Sequence, residues 1–139
     1  EITSSKTKFY PHLQGNDLNV DIDVSIDGTL GDNITPYNPT EDWLKQVEKV
    51  FASKVQTDIQ KTLNKLQKDL KTDITKIGIQ TYRKYPQEWK KIRRQWDEVF
   101  SNASITINVN VNIEHQGLIQ KSIQDDDKKP KKIPFPFFK

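Results

Sequence analysis

The chain has 139 residues, the length of one ordinary domain, and its 22 basic and 19 acidic residues give a net charge of +3. So close a balance is a weak argument for a polyanionic partner. The chain contains no cysteine, which excludes a disulfide framework, a thiolate metal site and a cysteine nucleophile. No stretch approaches the roughly 20 apolar residues that a transmembrane helix requires. Since methionine is absent as well, we expect a fragment or a processed product of a longer chain.

Two strands are predicted near the N-terminus. The run LNVDIDVSIDGTLGD alternates apolar and polar residues, which is typical of a strand with one buried face and one wet face. The preceding run KTKFYPHLQ has a weaker strand pattern, and Pro11 within it indicates an edge strand because proline donates no ladder hydrogen bond. Residues 14–17 between the two runs have the sequence QGND, which is the chemistry of a hairpin turn.

A long helix is predicted next. Thr40 is the expected N-cap, and Glu41 and Asp42 favour the positive end of the helix dipole. Apolar residues then recur at spacings of three and four, which predicts one apolar stripe on a helix of roughly 50 Å. Gly78 is expected to end or bend this helix. The stripe comprises Trp43, Val47, Phe51, Val55, Ile59, Leu63, Leu66, Leu70, Ile74 and Ile77.

A shorter helix is predicted from Pro86, which suits a first helical turn. Its apolar face comprises Trp89, Ile92, Trp96, Val99 and Phe100. This face predicts that the helix packs into the core; the alternatives are a surface for a partner protein and a nucleic-acid interface. Three ion pairs of about 0.2–0.5 kcal/mol each are predicted at helical spacing: Glu88–Lys91, Arg93–Asp97 and Arg94–Glu98. Because a phosphate-binding face would leave its cations unpaired, these pairs favour a structural helix.

The C-terminal part of the sequence supplies the last predicted strands, and with them a fold class can be assigned. The alternating run SITINVNVNIE predicts a third strand, and LIQKSI could add a fourth at an edge. We therefore predict an α+β fold, in which an antiparallel sheet of three to four strands is packed on one face by the long helix and the shorter amphipathic helix. Residues 1–124 are expected to form this single domain, and residues 125–139 an extended charged and proline-aromatic tail.

Asp73 falls within the predicted apolar stripe, where a carboxylate is costly unless it is hydrogen-bonded. Either the long helix breaks and Asp73 caps a second helix, or Asp73 is an internal anchor. As an anchor it would accept hydrogen bonds from a tryptophan indole, Tyr82, Tyr85 or Arg83. Both interpretations are structural, because no second reactive group that catalysis would need is evident nearby.

No constellation of residues points to catalysis or metal binding. The sequence lacks a P-loop and the motifs GxGxxG, GxSxG and HExxH. Asp21, Asp23 and Asp27 could hold a calcium ion, but a strand with one apolar face ordinarily carries charge on the other. His12 and His115 would meet only if their strands pair, and two histidines are a poor ligand set. We predict no catalytic, cofactor-binding or metal site, and no enzyme.

Several short elements resemble a known family. A long helix ends in D-x-x-x-x-G (Asp73, Gly78), followed by Y-P-x-x-W (Tyr85, Pro86, Trp89), W-D-x-x-F (Trp96, Asp97, Phe100) and a strand that closes at Gly117. With the earlier strand ending in Asp27-Gly28-Thr29-Leu30, the resemblance covers roughly residues 15–119. The chain is similar to the C-terminal domain of the Ger(x)C lipoprotein family of spore germination, the C subunits of nutrient germinant receptors. The structural and interaction candidates are Asp73, Gly78, Tyr85, Pro86, Trp89, Trp96, Phe100 and Gly117.

The resemblance implies a non-catalytic subunit of a membrane complex that acts through protein–protein contacts in spore germination. It implies two integral membrane partners, the A and B subunits, and a lipid anchor that lies outside this chain. The implied location is the outer face of the spore inner membrane. The resemblance supplies no catalytic residues. We expect no nucleic-acid partner and no stable homo-oligomer.

Two other functions remain as alternatives. The first is direct binding of a small-molecule germinant, for which Asp73 and Arg83 are the evident polar candidates. The second is a basic surface that binds a membrane or a nucleic acid through the tail lysines Lys128, Lys129, Lys131 and Lys132. The neighbouring acidic run, residues 125–127, argues against the second alternative because it offsets that charge.

Overall fold

The computed structural model describes residues 1–31 and 39–115. The predicted α+β class is confirmed, because helices cover one face of a three-stranded sheet and polar side chains line the other. The predicted strand LIQKSI, Gly117 and the tail lie outside the described residues. The elements are β1 (Ile2–Gln14), β2 (Asp17–Leu30), α1 (Glu41–Lys65), a π-helical turn (Leu66–Leu70), α2 (Ile77–Lys84), α3 (Pro86–Ile92), a 3₁₀ turn (Arg93–Gln95), α4 (Trp96–Ser101) and β3 (Ser104–His115).

β1 and β2 form the predicted antiparallel hairpin. Gln14 pairs with Asp17 across a two-residue turn, in which Gly15 has a φ of 58° that glycine adopts without steric cost. The strand order β1-β2-β3 places β1 at an edge, as Pro11 predicts. The hairpin therefore follows directly from the turn residues and the proline.

β3 runs parallel to β2, so the prediction of an antiparallel sheet is wrong for this pair. The cause is the helical crossover: α1, about 37 Å long at 1.5 Å per residue, leads the chain back along the sheet. Glu48, early in α1, accepts the N–H of Ile113 near the end of β3 at 2.9 Å. Gln56, two turns later, donates to the carbonyl of Ile107 at 3.2 Å. β3 must therefore start beside the beginning of β2.

α1 begins as predicted but ends earlier. The Thr40 hydroxyl accepts the N–H of Trp43 at 3.1 Å, which caps the helix. One continuous helix to Ile77 is not formed, because the π-helical turn ends at Leu70 and the next residue, Lys71, adopts a left-handed φ of 49°. Leu70 and Ile74, expected on the buried stripe, are 58% and 72% exposed. The wider π-helical turn shifts later residues out of the 3.6-residue repeat.

The core lies between β2 and the helices. The alternating apolar residues of β2 are buried, and Ile77, Ile92 and Phe100 meet them from the helix side. One buried polar side chain was not anticipated from the sequence: Gln67 donates to the carbonyls of Phe100 and Ala103 at 2.8 and 2.9 Å. These bonds attach the π-helical turn to the end of α4 and satisfy acceptors that would otherwise be costly to bury.

Candidate interaction site

Asp73 lies in the loop before α2, where its half-buried carboxylate accepts four hydrogen bonds. Oδ1 accepts from the backbone N–H and the hydroxyl of Thr75, at 2.9 and 2.6 Å. Oδ2 accepts from the backbone N–H of Gly78 at 2.7 Å and from the indole Nε1–H of Trp96 at 3.1 Å. The indole bond is the anchor geometry that the sequence left open. The capping geometry is present only in part, because Lys76 is the N-cap residue of α2, although Asp73 satisfies the N–H of Gly78 in the first turn of that helix.

Gly78 provides the space in which this contact forms. A Cβ atom at Gly78 would lie 3.0 Å from Trp96 Nε1 and 3.1 Å from Asp73 Oδ2, closer than such atoms normally approach. The indole N–H of Trp96 donates to Asp73 Oδ2, so neither side chain can move away from the added Cβ without losing this hydrogen bond. The D-x-x-x-x-G spacing thus has a physical cause, because it joins an acceptor to a residue with no side chain in the following helical turn.

Four aromatic rings form a row that leads from this contact to the surface. The ring centroids are 6.3 Å apart for Tyr82 and Trp89, 4.9 Å for Trp89 and Trp96, and 6.3 Å for Trp96 and Phe100. Phe100 is fully buried, the two tryptophans are half-buried against the core, and Tyr82 is 51% exposed. The row therefore anchors α3 and α4 in the core and presents an aromatic surface at its other end.

Tyr85 and Pro86 form the joint between α2 and α3. The carbonyl of Tyr85 accepts an N–H from the first turn of α3 at 2.8 Å, and Pro86 is the first residue of α3, where a missing N–H has no cost. The Lys84 ammonium lies 5.3 Å from the centroid of the Tyr85 ring and donates to a carbonyl of β1 at 2.9 Å. The motif residues that the structure describes thus lie together in the helix layer, while Gly117 is outside the described residues.

The three ion pairs predicted on the short helix do not form. Within residues 1–31 and 39–115, ion pairs join only His12 to Asp21 at 3.3 Å and Lys54 to Asp58 at 3.1 Å. For the two arginine pairs the cause is the 3₁₀ turn, which has three residues per turn and removes Arg93 and Arg94 from the i, i+4 alignment; Glu88 and Lys91 lie within α3, and the structure gives no reason for their separation. The basic residues of this helix are therefore exposed without a carboxylate partner; they are Lys90, Lys91, Arg93 and Arg94.

An apolar groove lies between the middle of the hairpin and α1. We call it the hairpin groove; it has a volume of about 440 Å³ and is lined by Thr7, Phe9, Ile22, Val24, Asp58, Ile59, Thr62, Leu63, Leu66 and Thr75. It exists because α1 packs mainly on β3, while α2 packs on β1, where Lys84 at the end of α2 donates to the carbonyl of Pro11 near the hairpin turn. The part of β1 between these helices is left partly uncovered, which the periodicity of single elements did not indicate.

The opposite face of the sheet is polar. Asn108 and Asn112 of β3 donate to Asp23 and Asp27 of β2 at 3.0 and 3.5 Å, so these carboxylates serve as cross-strand acceptors. In the portion described, no group of three or more histidine, aspartate or glutamate residues could hold a metal ion. His12 lies in β1, which β2 separates from β3. None of the described helices is long and apolar enough to cross a membrane.

Comparisons with known proteins identify relatives of the chain. Residues 1–117 match the family model "Spore germination B3/ GerAC like, C-terminal". In Bacillus subtilis (strain 168), spore germination protein YndF is 28% identical over 121 residues, or 86% of this chain and 30% of that protein. Spore germination protein A3 from the same strain is 34% identical over 118 residues, or 80% of this chain and 31% of that protein. The chain thus spans less than two thirds of the length of these relatives.

A solved structure has the same fold. The crystal structure of the GerBC protein superposes with a TM-score of 0.73 at 28% sequence identity. The match covers 81% of this chain and 35% of the GerBC chain. Sequence and structural comparisons therefore agree on one family and on a match to part of a longer protein.

Removing the Asp73 acceptor should destabilise the fold. We expect Asp73→Ala to lower the free energy of unfolding by about 2–4 kcal/mol, because the Gly78 N–H and the Trp96 indole N–H lose their acceptor in a half-buried site. Asp69→Ala, which removes an exposed carboxylate four residues earlier, should change it by less than about 0.5 kcal/mol. Urea denaturation of both variants measures these changes. A double-mutant cycle with Trp96→Phe should give a coupling above about 0.5 kcal/mol, and zero coupling would contradict the indole bond.

Gly78→Ala should also destabilise, although alanine is the better helix former. Its higher helix propensity contributes about 1 kcal/mol, while the added Cβ would force Asp73 and Trp96 apart. We expect a net loss of about 1–3 kcal/mol in thermal or urea unfolding. Gly31→Ala, which meets no atom within 4 Å, is the matched control. A Gly78→Ala variant as stable as the parent would show that the contact tolerates a side chain.

Proposed function

Since the chain belongs to the spore germination B3/GerAC-like family, which supports a role in spore germination, we propose that it is a non-catalytic domain of the C subunit of a nutrient germinant receptor. Residues 1–124 form the domain and residues 125–139 a tail. The proposed partners are the integral membrane A and B subunits. The full-length protein carries a lipid anchor on the outer face of the spore inner membrane, and the domain acts there through protein–protein contacts.

The proposal of a protein–protein contact is supported mainly by the hairpin groove. Its walls are mostly apolar side chains from two layers of the domain: core residues such as Leu63 form its floor, and the partly buried Phe9 and Ile59 supply the apolar surface that a partner would cover. Burying apolar surface contributes about 25 cal/mol per Å², so a partner segment that fills the groove gains free energy without rearranging the core. The backbone of β1 along the groove belongs to an edge strand, which can also pair with an incoming segment.

The groove lining disfavours direct binding of an amino-acid germinant. A zwitterion needs a partner for each charge when it leaves water. Asp58 is the one ionisable residue of the lining, and it already accepts from Lys54 at 3.1 Å. Of the two polar candidates from the sequence, Asp73 has both oxygens occupied by protein donors, and Arg83 is exposed on α2 and does not line the groove. A contact with protein therefore fits the chemistry of the groove better than a contact with a charged nutrient.

Two threonines of α1 offer a matched test of this proposal. Thr62 lines the groove and Thr57 does not, but both are exposed and both donate to the carbonyl four residues earlier at 2.9 Å. Thr62→Arg should fill the groove without disturbing the core. In the full-length lipoprotein expressed with its membrane subunits, we expect Thr62→Arg to reduce co-purification after detergent extraction by at least tenfold.

The control and the outcomes separate three cases. Thr57→Arg should co-purify as the parent does, because it adds the same charge to the same helix outside the groove. If Thr62→Arg leaves the complex intact and the spores fail to germinate, the groove acts after assembly, through another protein. If the complex is intact and germination is normal, the groove has no role and the proposed contact is wrong.

A further inference from the structure

We propose that a second surface of this domain, formed by α2 and α3, docks onto an anionic lipid bilayer. This surface, called here the basic aromatic face, consists of Ile79, Tyr82, Arg83, Trp89, Lys90 and Arg93. The proposal stands on these residues alone and does not depend on the receptor function. The basic aromatic face is also distinct from the tail lysines that the sequence offered as a basic surface, because all of its residues belong to the described part of the chain.

The outer side of α2 combines apolar and basic side chains. Ile77, Gly78 and Thr81 are buried and define the inner side of this helix. Ile79 and Tyr82 lie on the opposite side, 50% and 51% exposed, and Arg83 is one turn after Ile79. An apolar helix surface with basic neighbours is typical of segments that lie in the interface of a membrane.

The same surface continues onto α3. The rings of Tyr82 and Trp89 meet edge to face, with centroids 6.3 Å apart. Trp89 is half-buried, and two exposed cations follow it on the chain: Lys90 in the next position of α3, and Arg93 at the start of the 3₁₀ turn. The aromatic contact therefore joins the two helices into one surface, with apolar side chains near its centre and cations at its edge.

The charge of this region is concentrated and unpaired. Residues 65–94 contain ten basic and three acidic residues, a net charge of +7, whereas the whole chain has +3. Of the three acidic residues, Asp73 is turned inward to its four donors. No basic residue of this segment forms an ion pair with the described remainder of the chain. Apart from Lys84, which donates to the carbonyl of Pro11, these cations have no side-chain hydrogen bond to the described chain and remain available to an external anion, contrary to the paired helix that the sequence predicted.

The apolar component favours a bilayer over a nucleic acid. A nucleic-acid interface uses its cations on phosphates and its aromatic rings on bases, but it gains little from aliphatic side chains. Here Ile79, three residues after Lys76 and four before Arg83, is 50% exposed, and Ile74, next to the anchored Asp73, is 72% exposed. Tyrosine and tryptophan are the residues enriched at the headgroup level of membranes. A surface of this composition can insert its apolar side chains below the headgroups while its cations contact lipid phosphates.

Vesicle binding of the 139-residue chain tests the proposal. The probes are large unilamellar vesicles of phosphatidylcholine with about 30% phosphatidylglycerol, and vesicles of phosphatidylcholine alone, both in a buffer of about physiological ionic strength. We expect sedimentation with the anionic vesicles only. Lys90→Gln/Arg93→Gln should weaken the partition coefficient by at least about tenfold, since each cation near an anionic surface contributes roughly fivefold. Ile79→Ser should weaken it by at least about threefold.

Matched controls remove the same groups elsewhere. Lys6→Gln/Lys8→Gln takes two exposed cations from β1, and Val50→Ser takes an apolar side chain that is 71% exposed on α1. Both controls should bind within about twofold of the parent. Equal losses in controls and test variants would overturn the proposal, as would loss of binding only on substitution of the four tail lysines. Binding to duplex DNA without binding to anionic vesicles would also overturn it. Circular dichroism confirms that each variant is folded.

Discussion

The half-buried carboxylate of Asp73 must find donors for both of its oxygens, and it finds them on two different helices. Its Oδ2 atom accepts from Gly78 in α2 and from Trp96, which begins α4 and lies 23 positions along the chain. A half-buried carboxylate without hydrogen-bond donors would lower the stability of the fold by more than most single contacts raise it. The two helices therefore cannot shift independently, and the ring contact of Trp89 with Trp96 fixes α3 between them.

The surfaces available for recognition follow from where this contact holds the helices. With α2 packed on β1 and α1 packed on β3, the middle of the hairpin keeps an apolar groove. The interrupted helix, divided by its 3₁₀ turn, leaves the cations beside Trp89 unpaired. One surface is apolar and concave, and the other is basic and aromatic. A domain that joins partner proteins at a membrane would need both kinds of surface.

Much of the fold could be predicted, because alternating residues, the Thr40 cap and Pro86 act locally. The path of the chain could not be predicted. An apolar repeat does not show that a π-helical turn ends the helix, and Leu70 and Ile74 continue the apolar spacing although they are exposed. Strand periodicity is also the same for parallel and antiparallel pairs, so the direction of β3 depends on the crossover. The hydrogen-bonding role of Asp73 was among the predicted alternatives, because burying a carboxylate restricts what surrounds it. The groove and the unpaired cations arise from packing between elements.

Native-state hydrogen exchange is the most direct measurement of the claim that this contact holds the helix layer. The indole N–H of Trp96 and the backbone N–H of Gly78 should exchange only through global unfolding, with the same free energy as buried amides of β2 such as that of Val20. If both protons instead exchange through a local opening, at least about 2 kcal/mol below the global value, while β2 stays protected, the helices do not depend on Asp73 and the account is wrong.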